Sequence, residues 1–95
     1  MQDVHGEPSH HLATPELDLD LTARGGHLAP VVFHLPDRDV SPYALAPWQP
    51  EEYPDQPALL SVLRGDFFCL PFGGQENGPP HGDPANALWD LTGQT

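Results

Sequence analysis

Between residues 16 and 22 the chain alternates leucine with polar residues: Leu17, Leu19 and Leu21 fall on one side, Asp18 and Asp20 on the other. Period-two alternation sends the two sets to opposite faces of an extended chain, so the stretch predicts a half-buried β-strand. Arg24-Gly25-Gly26 follows as a turn or bulge signal. Residues 27–35 bring Val31, Val32 and Phe33, types that suit a pleated surface, and predict a second strand. Pro30 inside it has no N–H for a ladder, so an edge position or a bulge is expected there. Pro36-Asp37-Arg38-Asp39 makes the next turn.

The alternation then breaks. Pro42, Pro47, Pro50, Pro54 and Pro57 forbid an ordinary central strand or helix, leaving a stiff loop that carries Tyr43, Trp48 and Tyr53. Two apolar runs, residues 58–63 and 67–72, flank Arg64-Gly65-Asp66, and the second run reads as a further strand. Residues 73–80 read as a flexible turn. Residues 1–15 contain Gly6, two prolines, Ser9 and three histidines without periodicity. They read as a disordered leader, with no scaffold to gather His5, His10 and His11 around a metal.

Composition narrows the fold class. Thirteen prolines and nine glycines among 95 residues work against long helices, and short strands joined by tight turns fit better. Fourteen acidic residues face three arginines and no lysine, a net charge of -11. Phosphate neutralisation needs clustered cations, so nucleic acid is excluded as a partner, and so is an anionic membrane surface. No run reaches the roughly 18 apolar residues of a membrane span, and the first residues lack the apolar core of a signal peptide. A cytoplasmic location is expected. The single cysteine, Cys69, rules out an internal disulfide; its apolar neighbours predict a buried, inert thiol. No cofactor-binding motif is present: Gly73-Gly74 with Gly78 lacks the lysine and strand–helix context of a phosphate loop.

Three segments carry chemistry when taken in order. Arg64 between apolar runs is costly to bury unless an acid or a ligand meets it, and Gly65 beside it lets the backbone come close to a ligand. Pro71-Phe72-Gly73 follows. His81-Gly82, with Asn86 and Trp89 downstream, places an imidazole on a shaped loop. Together the stretch Arg64-Gly65-Asp66-Phe67-Phe68-Cys69-Leu70-Pro71-Phe72-Gly73 and the stretch His81-Gly82-Asp83-Pro84-Ala85-Asn86-Ala87-Leu88-Trp89 resemble motifs of the galactose-mutarotase-like (aldose 1-epimerase-like) superfamily, in its hexose-6-phosphate 1-epimerase branch. Gly25-Gly26-His27-Leu28-Ala29-Pro30-Val31 resembles an early strand turn of the same fold. The resemblance covers residues 17–91.

The resemblance implies an all-β fold, part of a large antiparallel β-sandwich with long proline-rich loops, residues 16–95 being its N-terminal part. It implies a carbohydrate-binding wall made by Arg64, His81, Asn86 and Trp89, with Arg64 and His81 facing one concave surface. The family's acid and base are carried by later strands, so no catalytic residue is assigned to this chain, and no metal or cofactor. Two departures matter. Asp66 stands where the family has a second glycine, and Ala85 stands where the phosphate-handling branch has an arginine. With the negative charge, they point to a neutral sugar or sugar-like ligand. A part-sandwich would leave strand edges unpaired, so self-association is expected. Two alternatives stay open: a small acidic protein-interaction module using the proline- and aromatic-rich loop, and a non-functional remnant.

Overall fold

The computed structural model describes residues 1–93. Five strands follow in chain order: β1 (Gln2–Val4), β2 (Glu7–Thr14), β3 (Leu17–Thr22), β4 (Leu28–His34) and β5 (Asp39–Val40). They form one antiparallel sheet in the order β1-β2-β3-β4-β5, each strand pairing with the next in sequence. The fold is all-β. A 3-10 turn at Pro50–Glu52 and a single helical turn, α1 (Ala58–Ser61), are the other regular elements among the described residues.

The alternating leucine strand and its partner lie where their patterns put them. Leu17 pairs with Phe33, Asp18 with Val32 and Leu19 with Val31, whereas Leu21 pairs with Leu28. The register slips by one residue in between, opposite Ala29 and Pro30, so the missing proline donor falls at a bulge. β5 reaches only Phe33 and His34, which leaves the Leu28 end of β4 to bridge Asp66 instead.

Residues 1–15 are not a disordered leader. His5 and Gly6, with φ of 50° and 85°, close a two-residue hairpin between Val4 and Glu7. β2 then pairs with β3 over six residues, from Ser9 opposite Thr22 to Thr14 opposite Leu17. Polar side chains on both faces hide this strand from a periodicity argument, while backbone pairing holds it regardless of side-chain type.

Residues 67–72 are not a strand. Their backbone contributes one isolated bridge, Leu70 to Gly82, and Pro71 offers no donor for a second. Among the described residues the layer packed on the sheet is irregular chain rather than a second sheet. It is tied on by the bridges Leu28–Asp66 and Arg24–Leu88.

The core is thin. Its buried apolar residues are Ala29, Val31, Ala46, Leu59, Val62 and Ala85, and the largest fully buried side chain is Arg64. Thr22 and Ser9 are buried as well, whereas Leu17, Leu19 and Leu21 are only half-buried. Phe33, Phe68, Leu70, Phe72 and Trp89 are exposed. The radius of gyration, 14.2 Å, exceeds the roughly 12 Å of a compact chain of this length. An extended sheet with one irregular layer cannot enclose many large side chains.

Candidate functional site

Three segments far apart in sequence meet at glycines. Gly65 has a φ of 43° and lies against Leu28, where a Cβ would overlap the Leu28 carbonyl oxygen and come within 2.7 Å of the Ala29 Cβ. Gly25, φ 75°, meets the Ala85 carbonyl in the same way, and Gly82, φ 85°, meets that of Leu70. Only glycine combines a left-handed backbone with no side chain at such crossings. Backbone hydrogen bonds seal them. The Leu28 amide donates to Asp66 at 2.8 Å, the Gly25 amide to Ala87 at 2.6 Å, the Trp89 amide to Ala23 at 2.7 Å and the Leu70 amide to His81 at 3.0 Å. The turn at residues 23–28, the stretch 64–73 and the stretch 81–89 therefore form one contiguous body at the end of the sheet.

Arg64 is 2% exposed. Its Nε donates to the Val62 carbonyl at 2.9 Å, and its two terminal nitrogens donate to Val4 at 2.6 Å and His5 at 2.8 Å. Among the described residues no carboxylate pairs with it; burial pushes its pKa down from the ordinary arginine value, while Glu7, Asp3 and Asp20 favour its charge from further away. The guanidinium thus clasps the β1–β2 turn onto the chain after α1. Its outer neighbours line an open cleft of about 500 Å³ walled by Pro42, Tyr43, Pro47, Trp48 and Leu63.

His81 sits elsewhere, with φ 65°. Its Nδ1 accepts the Gly73 amide at 3.0 Å and lies 3.6 Å from Cys69 Sγ. In the neutral ring the proton must then be on Nε2. Among the described residues nothing bonds Nε2, and no carboxylate lies within ion-pairing distance of the ring. The ring packs edge-on against Phe67, centroids 5.3 Å apart, and against Phe72 at 5.1 Å. Phe72 is 83% exposed. Cys69 is half-buried rather than enclosed.

Asn86 uses both amide hydrogens inside its own loop, donating to Pro80 at 2.9 Å and Gly82 at 2.7 Å. Arg24 donates to the Asn86 carbonyl at 3.3 Å, which puts an exposed cation beside this loop. The Trp89 indole donates to Pro84 at 2.7 Å, and its ring lies over Gly26. Trp89 walls a second cleft, of about 230 Å³, with His10, Leu21 and Thr22. Of the four residues expected on one wall, Arg64 belongs to the first cleft and Trp89 to the second, while His81 and Asn86 line neither.

Two features of this body go beyond what the sequence pattern showed. His27 is buried, donates Nε2–H to the Ala85 carbonyl at 2.9 Å and stacks on Phe67 with centroids 4.3 Å apart. Its Nδ1 has no partner among the described residues, and burial pushes its pKa down. Phe72 is the other: it stood in the motif, but nothing in the pattern said that its ring would be so exposed beside His81.

Comparison with protein-family models, with curated proteins and with solved structures finds no match to the chain. No helix among the described residues is long and apolar enough to cross a membrane.

Proposed function

We propose that this chain contributes a non-catalytic carbohydrate-binding surface of the aldose 1-epimerase type and takes a neutral sugar. The observation that carries the reading is the meeting of the three motif segments at Gly25, Gly65 and Gly82. The residues behind the resemblance are spread over more than 60 positions of sequence, yet they build one body. On it, the exposed Phe72 ring offers an apolar face for sugar C–H groups, and His81 Nε2–H offers a donor to a hydroxyl beside it. Ala85 is buried with its carbonyl on His27, so no cation projects from that position toward a phosphate. The ring opening catalysed by the family needs an acid and a base acting together. Among the described residues His81 has no carboxylate partner, so binding without turnover is the reading. A cytoplasmic location fits the free thiol of Cys69.

Isothermal titration with neutral aldohexoses and with a hexose 6-phosphate tests this. Saturable binding of a neutral hexose, lost in His81→Ala and weaker for the phosphate, is the expected result. Preference for the phosphate, or no binding of either, would overturn it.

A second reading has one observation in its favour, the cleft walled by Tyr43, Trp48, Pro42 and Pro47. Aromatic-lined grooves of this kind take extended proline-rich peptides. It is the weaker reading, because the Trp48 indole N–H already donates to Leu60 at 3.0 Å and is not free to bond a peptide carbonyl.

A further inference from the structure

A row of polar side chains crosses one face of the sheet. Gln2 on β1 lies 3.4 Å from Asp20 on β3. His11 on β2 bonds Asp20 through Nδ1 at 3.1 Å, and its Nε2 is 3.6 Å from Asp18. His34 on β4 contacts Asp18 through Nε2 at 2.6 Å and Asp39 on β5 through Nδ1 at 2.9 Å. His34 and Asp39 are directly opposed in the register. Among the described residues no group of three or more ligating side chains is arranged to hold a metal ion, so the row is explained by hydrogen bonding and charge.

The proton inventory of His34 is decisive. A neutral imidazole has one N–H and one lone pair, and an ionised carboxylate only accepts. With a carboxylate at each nitrogen, a neutral His34 must turn a lone pair toward one of them. The imidazolium donates to both. β5 is two residues long and pairs only with Phe33 and His34; the Asp39 bond adds to this pairing and to the bond that Ser41 Oγ, just after β5, donates to the Val31 carbonyl at 2.8 Å.

We propose that His34 is a proton-operated latch on β5: protonated, it bridges Asp18 to Asp39 and pins the strand; deprotonated, it releases one carboxylate and β5 loosens from β4. β5 runs directly into residues 42–48, so its release also loosens the wall of the Tyr43–Trp48 cleft. The charged groups around the latch are few. Asp18 and Asp20 face it from β3, His11 from β2 through the shared Asp18, and Asp39 from β5. Glu16, in the β2–β3 turn, accepts the His34 amide on its carbonyl. Arg38 is paired with Asp37 at 3.4 Å and does not compete for Asp39.

The bonds to Asp39 and then to Asp18 raise the His34 pKa above the ordinary histidine value, against an opposing effect of desolvation. A folded value above the unfolded one, about 6.5, means that the latch contributes fully below about pH 6.5. Its contribution is lost as pH rises through the folded value.

The test is an NMR pH titration of the whole chain between about pH 5.5 and 9, a range that brackets the ordinary histidine pKa. The His34 ring and the Val40 amide are followed together. The expected result is a His34 midpoint above that of a free histidine, a Val40 shift with the same midpoint, and loss of Val40 amide protection beyond it. In Asp39→Asn the His34 midpoint falls and the coupling to Val40 weakens; in Asp55→Asn, on an exposed residue away from the row, nothing changes. An ordinary His34 midpoint, or a Val40 amide indifferent to it, overturns the latch, and both are read on the unmutated chain.

Discussion

Gly82 passes over Leu70 so closely that a Cβ would overlap the Leu70 carbonyl, and it does so with a φ of 85°. Gly65 bears the same relation to Leu28. Alanine at either position meets a left-handed backbone, costing about 1–2 kcal/mol, and a backbone clash besides. Gly82→Ala and Gly65→Ala are expected to cost more than roughly 3 kcal/mol each. Gly73 has a φ of 84° but nothing within 4 Å of an added Cβ. Gly73→Ala should therefore cost only about 1 kcal/mol. Denaturant midpoints of the three variants check this; equal losses would mean that the crossings are not tight.

Arg64 is predicted to matter for folding rather than for ligand. Arg64→Met keeps much of the volume but leaves the carbonyls of Val4, His5 and Val62 without their donor. At about 1 kcal/mol for each lost bond, the cost is about 3 kcal/mol. Amide exchange should quicken first at residues 4–7, where the clasp holds the hairpin. Unchanged exchange there, together with loss of sugar binding, would put Arg64 in a binding role.

The Leu17 strand, its partner and the Pro30 bulge were legible because leucine–aspartate alternation and a proline without a donor have one extended solution. The β1–β2 hairpin was not. Its turn signal, His5-Gly6, lies among residues that are polar on both faces, and hydrophobic periodicity is blind to such strands. Burial was misread for a related reason. Leucine alternation says which side chains share a face, not what covers it, and here the hydroxyls of Ser9 and Thr22 are enclosed while the leucines stay half-open. Gly65 was read as a place for a ligand to approach the backbone, whereas it crosses the backbone of Leu28. Arg64 and His81 were expected on one concave surface and do not share a cleft; the sequence could not show this, because an arginine satisfied by carbonyls and one awaiting a ligand look the same in it.

His27 predicts an acid-sensitive fold. Burial depresses its pKa below the unfolded value of about 6.5. The folded chain then binds fewer protons than the unfolded one, and the His27 contribution to stability, complete above about pH 6.5, is lost as pH falls through the depressed value. His27→Gln keeps a donor for the Ala85 carbonyl and removes the titration. Melting temperatures at stepped pH should fall less steeply on the acid side in this variant. An identical acid slope would mean that His27 does not drive it.

Phe68, Leu70, Phe72 and Leu88 expose apolar surface around the motif body. Exposed patches of this kind favour association, opposed at neutral pH by the net charge of -11 and less opposed near the pI of about 4.4. Sedimentation of the chain should show association growing toward that pH and reduced in Leu70→Ser/Leu88→Ser. Indifference to the double substitution would move the contact to the strand edges.

Chemical-shift mapping tests, residue by residue, whether a sugar docks on the face that bears Phe72 and His81. A neutral hexose is titrated into the isotopically labelled chain at neutral pH. The account predicts saturable shifts at Phe72, Gly73 and the His81 ring, absent in a folded His81→Ala variant, with the Tyr43–Trp48 cleft unmoved. Shifts confined to Tyr43 and Trp48, or no saturable shift anywhere, would contradict it.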